Sequence, residues 1–177
     1  MSPSRPWRLL KWSISQFHGI KAVPETTSLT GIVEKNATLF KQSLERKNIV
    51  LSWQLNELSV CADPDHLMLV IRNLVSNAIK YSHQGGTIII RAHTTGNRVI
   101  IAVADRGMGM SEEMRANLFS SHNMASSAGT SNEKGTGLGL KLCKEFIETN
   151  NGEIWAESEP GKGSTFYIGL APAIGSC

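Results

Sequence analysis

The sequence predicts an α/β (α+β) two-layer sandwich, with a helix layer packed on one face of a mixed, largely antiparallel sheet. Three observations predict it. Segments with helical and with strand-like apolar spacing alternate along the chain. The strand-like segments come mostly in neighbouring pairs joined by short turns, as in TIIIRAH and RVIIAVAD around TTGN. No internal repeat or long low-complexity tract interrupts the pattern. Helices placed between antiparallel hairpins bury their apolar stripes by covering one side of the sheet. The 177 residues can bury roughly two-thirds of their unfolded surface without disulfides or metals.

Each element follows from its residues. Residues 8–20 carry Leu10, Ile14 and Phe17 at helical spacing and read as the end of a helix, followed by KAVPETTSL as a breaking connector. From Ser28 to about Lys47, the apolar set Leu29, Ile32, Val33, Leu39, Phe40 and Leu44 predicts a helix. IVLSWQL reads as a strand and LSVCA as a shorter one. Asp63 and Pro64 fit the N-cap and first-turn positions of a helix running to about Tyr81. At about 100° per residue, Leu67, Ile71, Leu74, Val75 and Ala78 form its core face. The TIIIRAH–RVIIAVAD hairpin comes next, then a short helical stretch near Glu112–Leu118 and a Ser/Ala/Asn/Gly-rich segment over 120–135. A last helix follows, and GEIWAES pairs with STFYIGL around EPGKG. The expected total is about six strands and four core helices.

Composition narrows the function. The net charge is +3, from 18 basic and 15 acidic residues that are interspersed, which argues against nucleic acid as a partner. No apolar run approaches the roughly 20 residues of a membrane span, and MSPSRPWRLLKW lacks the apolar core of a signal peptide. A cytoplasmic domain without direct membrane contact is expected, from a parent protein whose own membrane attachment is left open. Cys61, Cys143 and Cys177 are far apart, odd in number and without metal-type spacing, and read as reduced thiols.

Three stretches carry chemistry. On the helix ending at Tyr81, Asn73, Asn77, Lys80 and Tyr81 share a stripe apart from the core face. Asparagine is a poor helix former. Either the stripe is a solvated polar face, or its amide oxygens hold a hard cation such as Mg²⁺ while Lys80 meets phosphate and Tyr81 lies against a base. In VADRGMGM, residues 103–110, Asp105 shares a face with Val99, Ile101 and Val103. A buried charge there is costly unless paired. Asp105 either caps the turn or pairs with a ligand donor such as the exocyclic amino group of a base, because a carboxylate only accepts. Gly107 and Gly109 would then let a ligand ring approach the backbone. Finally, KGTGLGLKLC, residues 134–143, sets glycines at alternate positions just before a helix start. Backbone freedom followed by unpaired N–H groups favours an anion, most often phosphate, although a flexible connection has the same composition.

NLVSNAIKY, DRGMGM and KGTGLGL, in this order, resemble the N, G1 and G2 boxes of the ATP-binding catalytic domain of bacterial sensor histidine kinases, members of the GHKL superfamily. The resemblance covers about Thr27 to Leu170 and includes a GSTF segment. It implies a Bergerat-type fold holding ATP and Mg²⁺ between sheet and helices under a mobile lid. Asn77 is implied as the Mg²⁺ ligand, with Asn73 beside it at the phosphates. Lys80 is implied as the phosphate-contacting lysine and, with Asn73, as catalytic. Tyr81 would pack near adenine. Asp105 would accept from the adenine amino group, with the hydroxyl of Thr165 beside it, and Gly107, Gly109 and Met110 would line the base pocket. Gly135, Thr136, Gly137, Leu138, Gly139 and Leu140 would close the lid and offer N–H groups to the phosphates.

The chain also departs from the family pattern. LFSSHNM keeps Phe119 but sets His122 where many relatives have a second phenylalanine, and His122 is expected to be exposed. No phosphoacceptor histidine box is found, since His18 in SQFHGIK does not match. Residues 1–26 are therefore expected to be added N-terminal residues plus the remnant of a dimerisation helix and linker, with the ATP-binding catalytic domain over 27–172 and a tail over 173–177. The implied partners are the parent protein's own dimerisation and phosphoacceptor domain, absent here, and a response-regulator receiver domain. The full-length protein is expected as a homodimer and this fragment as a monomer. Related GHKL ATPases carry a glutamate where Asn73 stands, and an amide cannot act as a general base at neutral pH. Phosphoryl transfer to histidine is thus favoured over a water-using ATPase and over a nucleotide-gated binding module.

Overall fold

Seven strands and four helices occur among residues 21–119, 129–130, 138–173 and 177, which the computed structural model of the protein describes. In chain order they are β1 (Glu25–Ser28), α1 (Leu29–Arg46), β2 (Val50–Gln54), β3 (Ser59–Ala62), α2 (Pro64–Tyr81), β4 (Thr87–Thr95), β5 (Arg98–Asp105), α3 (Glu112–Ala116), α4 (Gly139–Thr149), β6 (Glu153–Glu159) and β7 (Gly163–Leu170). The helix expected over residues 8–20 lies outside the described residues.

The main sheet has the order β2-β4-β5-β7-β6. Only the β2–β4 pair is parallel; the β4–β5, β5–β7 and β6–β7 pairs are antiparallel. Along β5, Val99, Ile101, Val103 and Asp105 are buried while their neighbours are half-exposed. The two-residue period thus turns one face of the sheet inward. Ile88 and Ile90 of β4, and Phe166, Ile168 and Leu170 of β7, join that face. Helix α2 covers it from the middle of the helix layer, packed between α1 and α4. The predicted face Leu67, Ile71, Leu74, Val75 and Ala78 is buried throughout.

One strand escaped the sequence pattern. β1 pairs antiparallel with β3, with Thr27 opposite Val60, so ETTS is a strand and not part of a connector. Its burial comes from a polar side chain. Thr27 is buried and its hydroxyl donates to the Ala62 carbonyl at 2.9 Å, which leaves no apolar alternation to read.

Polar groups fix the ends of α1, α2 and α4. Ser28 caps α1 by accepting from the Gly31 N–H, and Asp63 caps α2 by accepting from the N–H groups of Asp65 and His66. At the end of α4, Asn150 donates to the Phe146 carbonyl at 2.7 Å and accepts from the Asp63 N–H at 2.7 Å. His66 stacks on Phe146 with centroids 4.3 Å apart. The start of α2 is thereby tied to the end of α4, which sets the relative placement of the two helices.

Two of the three cysteines lie together. Pro172 bridges to Val60, and the Cys61 N–H donates to the Ala171 carbonyl. This brings the chain back along β3, and Cys61 and Cys177 come to lie side by side with Cα atoms 5.5 Å apart. Cys143 is free and buried, and burial pushes its thiol up to about 12. No helix among the described residues is long and apolar enough to cross a membrane.

Candidate functional site

The three motifs converge on the second half of α2, where Asn73, Asn77, Lys80 and Tyr81 are all half-buried. The Asn73 amide donates from Nδ2 to the Leu69 carbonyl at 2.9 Å, one turn back. Its Oδ1 is left facing the start of α4: a Cβ built on Gly139 would lie 2.6 Å from it. Lys80 Nζ donates to the Tyr81 hydroxyl at 2.9 Å and sits 4.6 Å from the centre of that ring. The Tyr81 carbonyl in turn accepts from the Met108 N–H at 3.2 Å. The asparagine stripe therefore touches the glycine-rich helix start on one side and the loop after β5 on the other.

Asp105 ends β5 with only 7% of its surface exposed. Its Oδ1 accepts from the Gly107 N–H at 2.8 Å, so the carboxylate does cap the turn. Burial pushes its pKa up, against the backbone N–H groups of Gly107 and Ser164, which favour the charged form. The two glycines of this turn are required by protein backbone. A Cβ on Gly107 would overlap the Tyr81 carbonyl, and one on Gly109, whose φ is +65°, would overlap the Glu159 carbonyl. Their close approach is to α2 and to the β6–β7 hairpin.

The expected neighbour of Asp105 is off by one residue. Ser164, not Thr165, lies opposite Asp105 in the β5–β7 register; Thr165 lies opposite Ala104 and Glu157. Successive strand residues point to opposite faces, so Thr165 belongs to the face away from the helices, with the Tyr167 hydroxyl beside it. Ser164 is buried, and its Oγ lies 3.0 Å from Ser158 Oγ. Ser158 Oγ accepts from the Met110 N–H at 2.9 Å. The parity of β7 held the missing signal, because Ser164 is in phase with the buried Phe166, Ile168 and Leu170.

Helix α4 starts with Leu138 at its N-cap and no side-chain cap. Its first-turn N–H groups are therefore not satisfied by a capping side chain. Leu138, Gly139 and Leu140 are half-buried, and Leu140 packs on the core. Gly135, Thr136, Gly137 and His122 lie outside the described residues. Among the described residues no group of three or more His, Cys, Asp or Glu side chains could hold a metal ion. A cation at this site would depend on amide oxygen and phosphate, a donor set that suits Mg²⁺. A cavity of about 180 Å³ opens between Asp105 and the β6–β7 hairpin. Asn73, Asn77 and Lys80 do not line it.

Comparison with known proteins places this geometry. Residues 62–174 match the family described as histidine kinase-, DNA gyrase B- and HSP90-like ATPase. The adaptive-response sensory kinase SasA of Synechococcus elongatus is 41% identical over 108 residues, covering 60% of this chain and 27% of that protein. The sensor histidine kinase GacS of Pseudomonas protegens is 34% identical over 151 residues, covering 81% of this chain and 16% of that protein. The chain thus spans about a quarter or less of these two relatives. Among solved structures, the catalytic domain of histidine kinase ThkA superposes with a TM-score of 0.70 at 28% identity, covering 83% of this chain and 95% of that one. ThkA in complex with the response regulator protein TrrA matches in fold, with a TM-score of 0.74 at 22% identity over 96% of this chain and 48% of that one.

Proposed function

The chain belongs to the histidine kinase-, DNA gyrase B- and HSP90-like ATPase family, and from that premise we propose that it binds Mg–ATP and transfers the γ-phosphoryl group to a histidine. That histidine would lie on the dimerisation domain of the parent protein, with relay onward to a response-regulator receiver domain. The observation that carries the proposal is the convergence on α2: Asn73 against Gly139 and Tyr81 against Met108 put the asparagine stripe, the glycine-rich helix start and the turn after Asp105 at one place.

The roles follow from chemistry. Asn77 supplies an amide oxygen to Mg²⁺, and Lys80 supplies a point charge to phosphate oxygens. When bound, Mg²⁺ neutralises charge on the β- and γ-phosphates. The uncapped start of α4 directs N–H groups and the positive end of its dipole at the same phosphates. Asp105 accepts from the adenine amino group, and Tyr81 packs near the ring. Asn73 cannot deprotonate water, but an imidazole nucleophile needs no base, so this donor set suits transfer to histidine. Positioning and charge neutralisation are the whole of the chain's contribution.

Titration calorimetry with Mg–ATP tests binding, and radiolabel transfer from ATP to the parent protein's separately supplied dimerisation domain tests the reaction. Saturable Mg-dependent binding and acid-labile label on the added domain are expected. Absence of nucleotide binding would refute the reading.

A further inference from the structure

Lys47 follows α1 as its C-cap residue and has only 8% of its surface exposed. A buried ammonium is costly unless its donors are used. Here Nζ donates to the carbonyls of Ile79 at 2.9 Å and Lys80 at 3.0 Å, with the carbonyl of Ser82 further off at 3.4 Å. These carbonyls belong to the end of α2, where helical partners run out and the dipole is negative. A structural lysine could stop there. This one also donates to Thr130 Oγ1 at 2.8 Å, 83 residues further along the chain and between the Asp105 turn and the glycine-rich motif.

Thr130 makes its own bonds to the same place. Its N–H donates to the Lys80 carbonyl at 3.1 Å, and its hydroxyl lies 2.6 Å from the Ser82 carbonyl and 3.1 Å from that of Lys80. The geometry is consistent: the hydroxyl hydrogen goes to Ser82 while an oxygen lone pair accepts from Lys47. Apart from the bond between Lys47 and Thr130 themselves, every one of these bonds falls on the backbone that carries the side chains of Lys80 and Tyr81, or on a residue next to it.

We propose that Lys47 and Thr130 are positioning residues for the nucleotide reaction, a polar latch that holds Thr130 against the end of α2 and so fixes the backbone from which Lys80 and Tyr81 meet the nucleotide. The proposal rests on the Mg–ATP reading above. It assigns Thr130 a role through its hydroxyl and Lys47 a role through both the helix end and that hydroxyl.

Three variants of the whole chain test it. Thr130→Val removes the hydroxyl and keeps the shape, Thr130→Ser restores the hydroxyl, and Lys47→Met removes the ammonium. Two quantities are read: hydrogen exchange at the backbone amide of position 130 without nucleotide, and the Kd for Mg–ATP by calorimetry. Thr130→Val should exchange at least tenfold faster and bind Mg–ATP at least fivefold more weakly, with a melting temperature close to that of the parent chain. Thr130→Ser should restore both quantities. Lys47→Met should repeat both effects with a lower melting temperature, and adding Thr130→Val to it should change little more; should Lys47→Met not fold, the Thr130 pair decides. Unchanged exchange in Thr130→Val would overturn the latch. Faster exchange with unchanged Kd would overturn the positioning role. If the parent chain binds no Mg–ATP, the function proposed above falls and the positioning role with it, while exchange still reports whether the latch exists.

Discussion

Oδ1 of Asn73 faces Gly139 so closely that a Cβ at position 139 would lie 2.6 Å from it. The amide cannot simply swing aside, because its Nδ2 is bonded to the Leu69 carbonyl. Gly139→Ala should therefore displace the start of α4 and weaken Mg–ATP binding roughly tenfold, about 1.4 kcal/mol. Adding Asn73→Ala empties the space, so the pair should recover much of the melting temperature lost by Gly139→Ala but not the affinity. Melts of the two single variants and the double variant check this. Strictly additive melting shifts would mean that the two sites are not in contact.

Asn77 offers the sharpest test of the cation. Its amide stands one turn from Asn73 and one turn from Lys80 on the same stripe of α2. Asn77→Ala should weaken nucleotide binding roughly tenfold or more in Mg²⁺, on the order of 1.4 kcal/mol. In excess chelator, where no cation bridges amide and phosphate, variant and parent should bind ATP alike. Calorimetry in both conditions decides, and an equal loss with and without Mg²⁺ would remove Asn77 from the metal.

How much of this was legible before the fold was known differs by residue. The α2 core face and β5 were readable because burial there follows the period of the element: Leu67, Ile71, Leu74 and Val75 are all buried, and so is every second residue of β5. Hidden features arise where a polar group is buried by a partner far along the chain. β1 is held by the hydroxyl of Thr27, and Lys47 reaches Thr130 across 83 residues. The approach of Cys177 to Cys61 spans 116 residues, and no local pattern encodes it. The expectation of Thr165 beside Asp105 fails for another reason. GSTF offers adjacent hydroxyls, and only the register with Asp105 selects which one faces inward. The sequence presents Gly107 and Gly109 as points of ligand approach, and backbone crossing at Tyr81 and Glu159 already requires them.

Asp63 links folding to pH. Burial opposes its charge, but the backbone N–H groups of Val23, His66 and Asp65 and the charge of His66 outweigh it, so its pKa is lowered. A carboxylate with a lowered folded pKa stabilises the fold above its unfolded pKa and loses that contribution as pH falls through the folded value. Asp63→Ala should cost about 1–2 kcal/mol at pH 7, as for a lost N-cap. The difference from the parent chain should narrow as pH drops below about 4. Urea unfolding at pH 7 and at pH 3 measures it, and a gap that widens in acid would contradict the assignment.

Asp105 shifts in the opposite sense, and this separates its two roles. Burial raises its pKa, so the folded state carries a cost above the folded pKa that is relieved as pH falls through that value. Asp105→Asn keeps an oxygen for the Gly107 N–H and never ionises. Without nucleotide it should melt no lower than the parent chain at pH 7.5, with any advantage shrinking toward pH 4. Base choice should respond differently. A carboxylate attracts the adenine amino group but repels the carbonyl oxygen that guanine presents there. A hydrogen bond to a charged group contributes about 1.5–3 kcal/mol, and two facing acceptors add a desolvation cost. ATP should thus bind at least roughly a hundredfold more tightly than GTP, about 2.7 kcal/mol, and Asp105→Ala should lose most of that margin by weakening ATP. Competition titrations of both nucleotides on both variants give the answer. A folded Asp105→Ala chain that keeps the full ATP preference would leave Asp105 as a turn cap alone, with the base bound elsewhere.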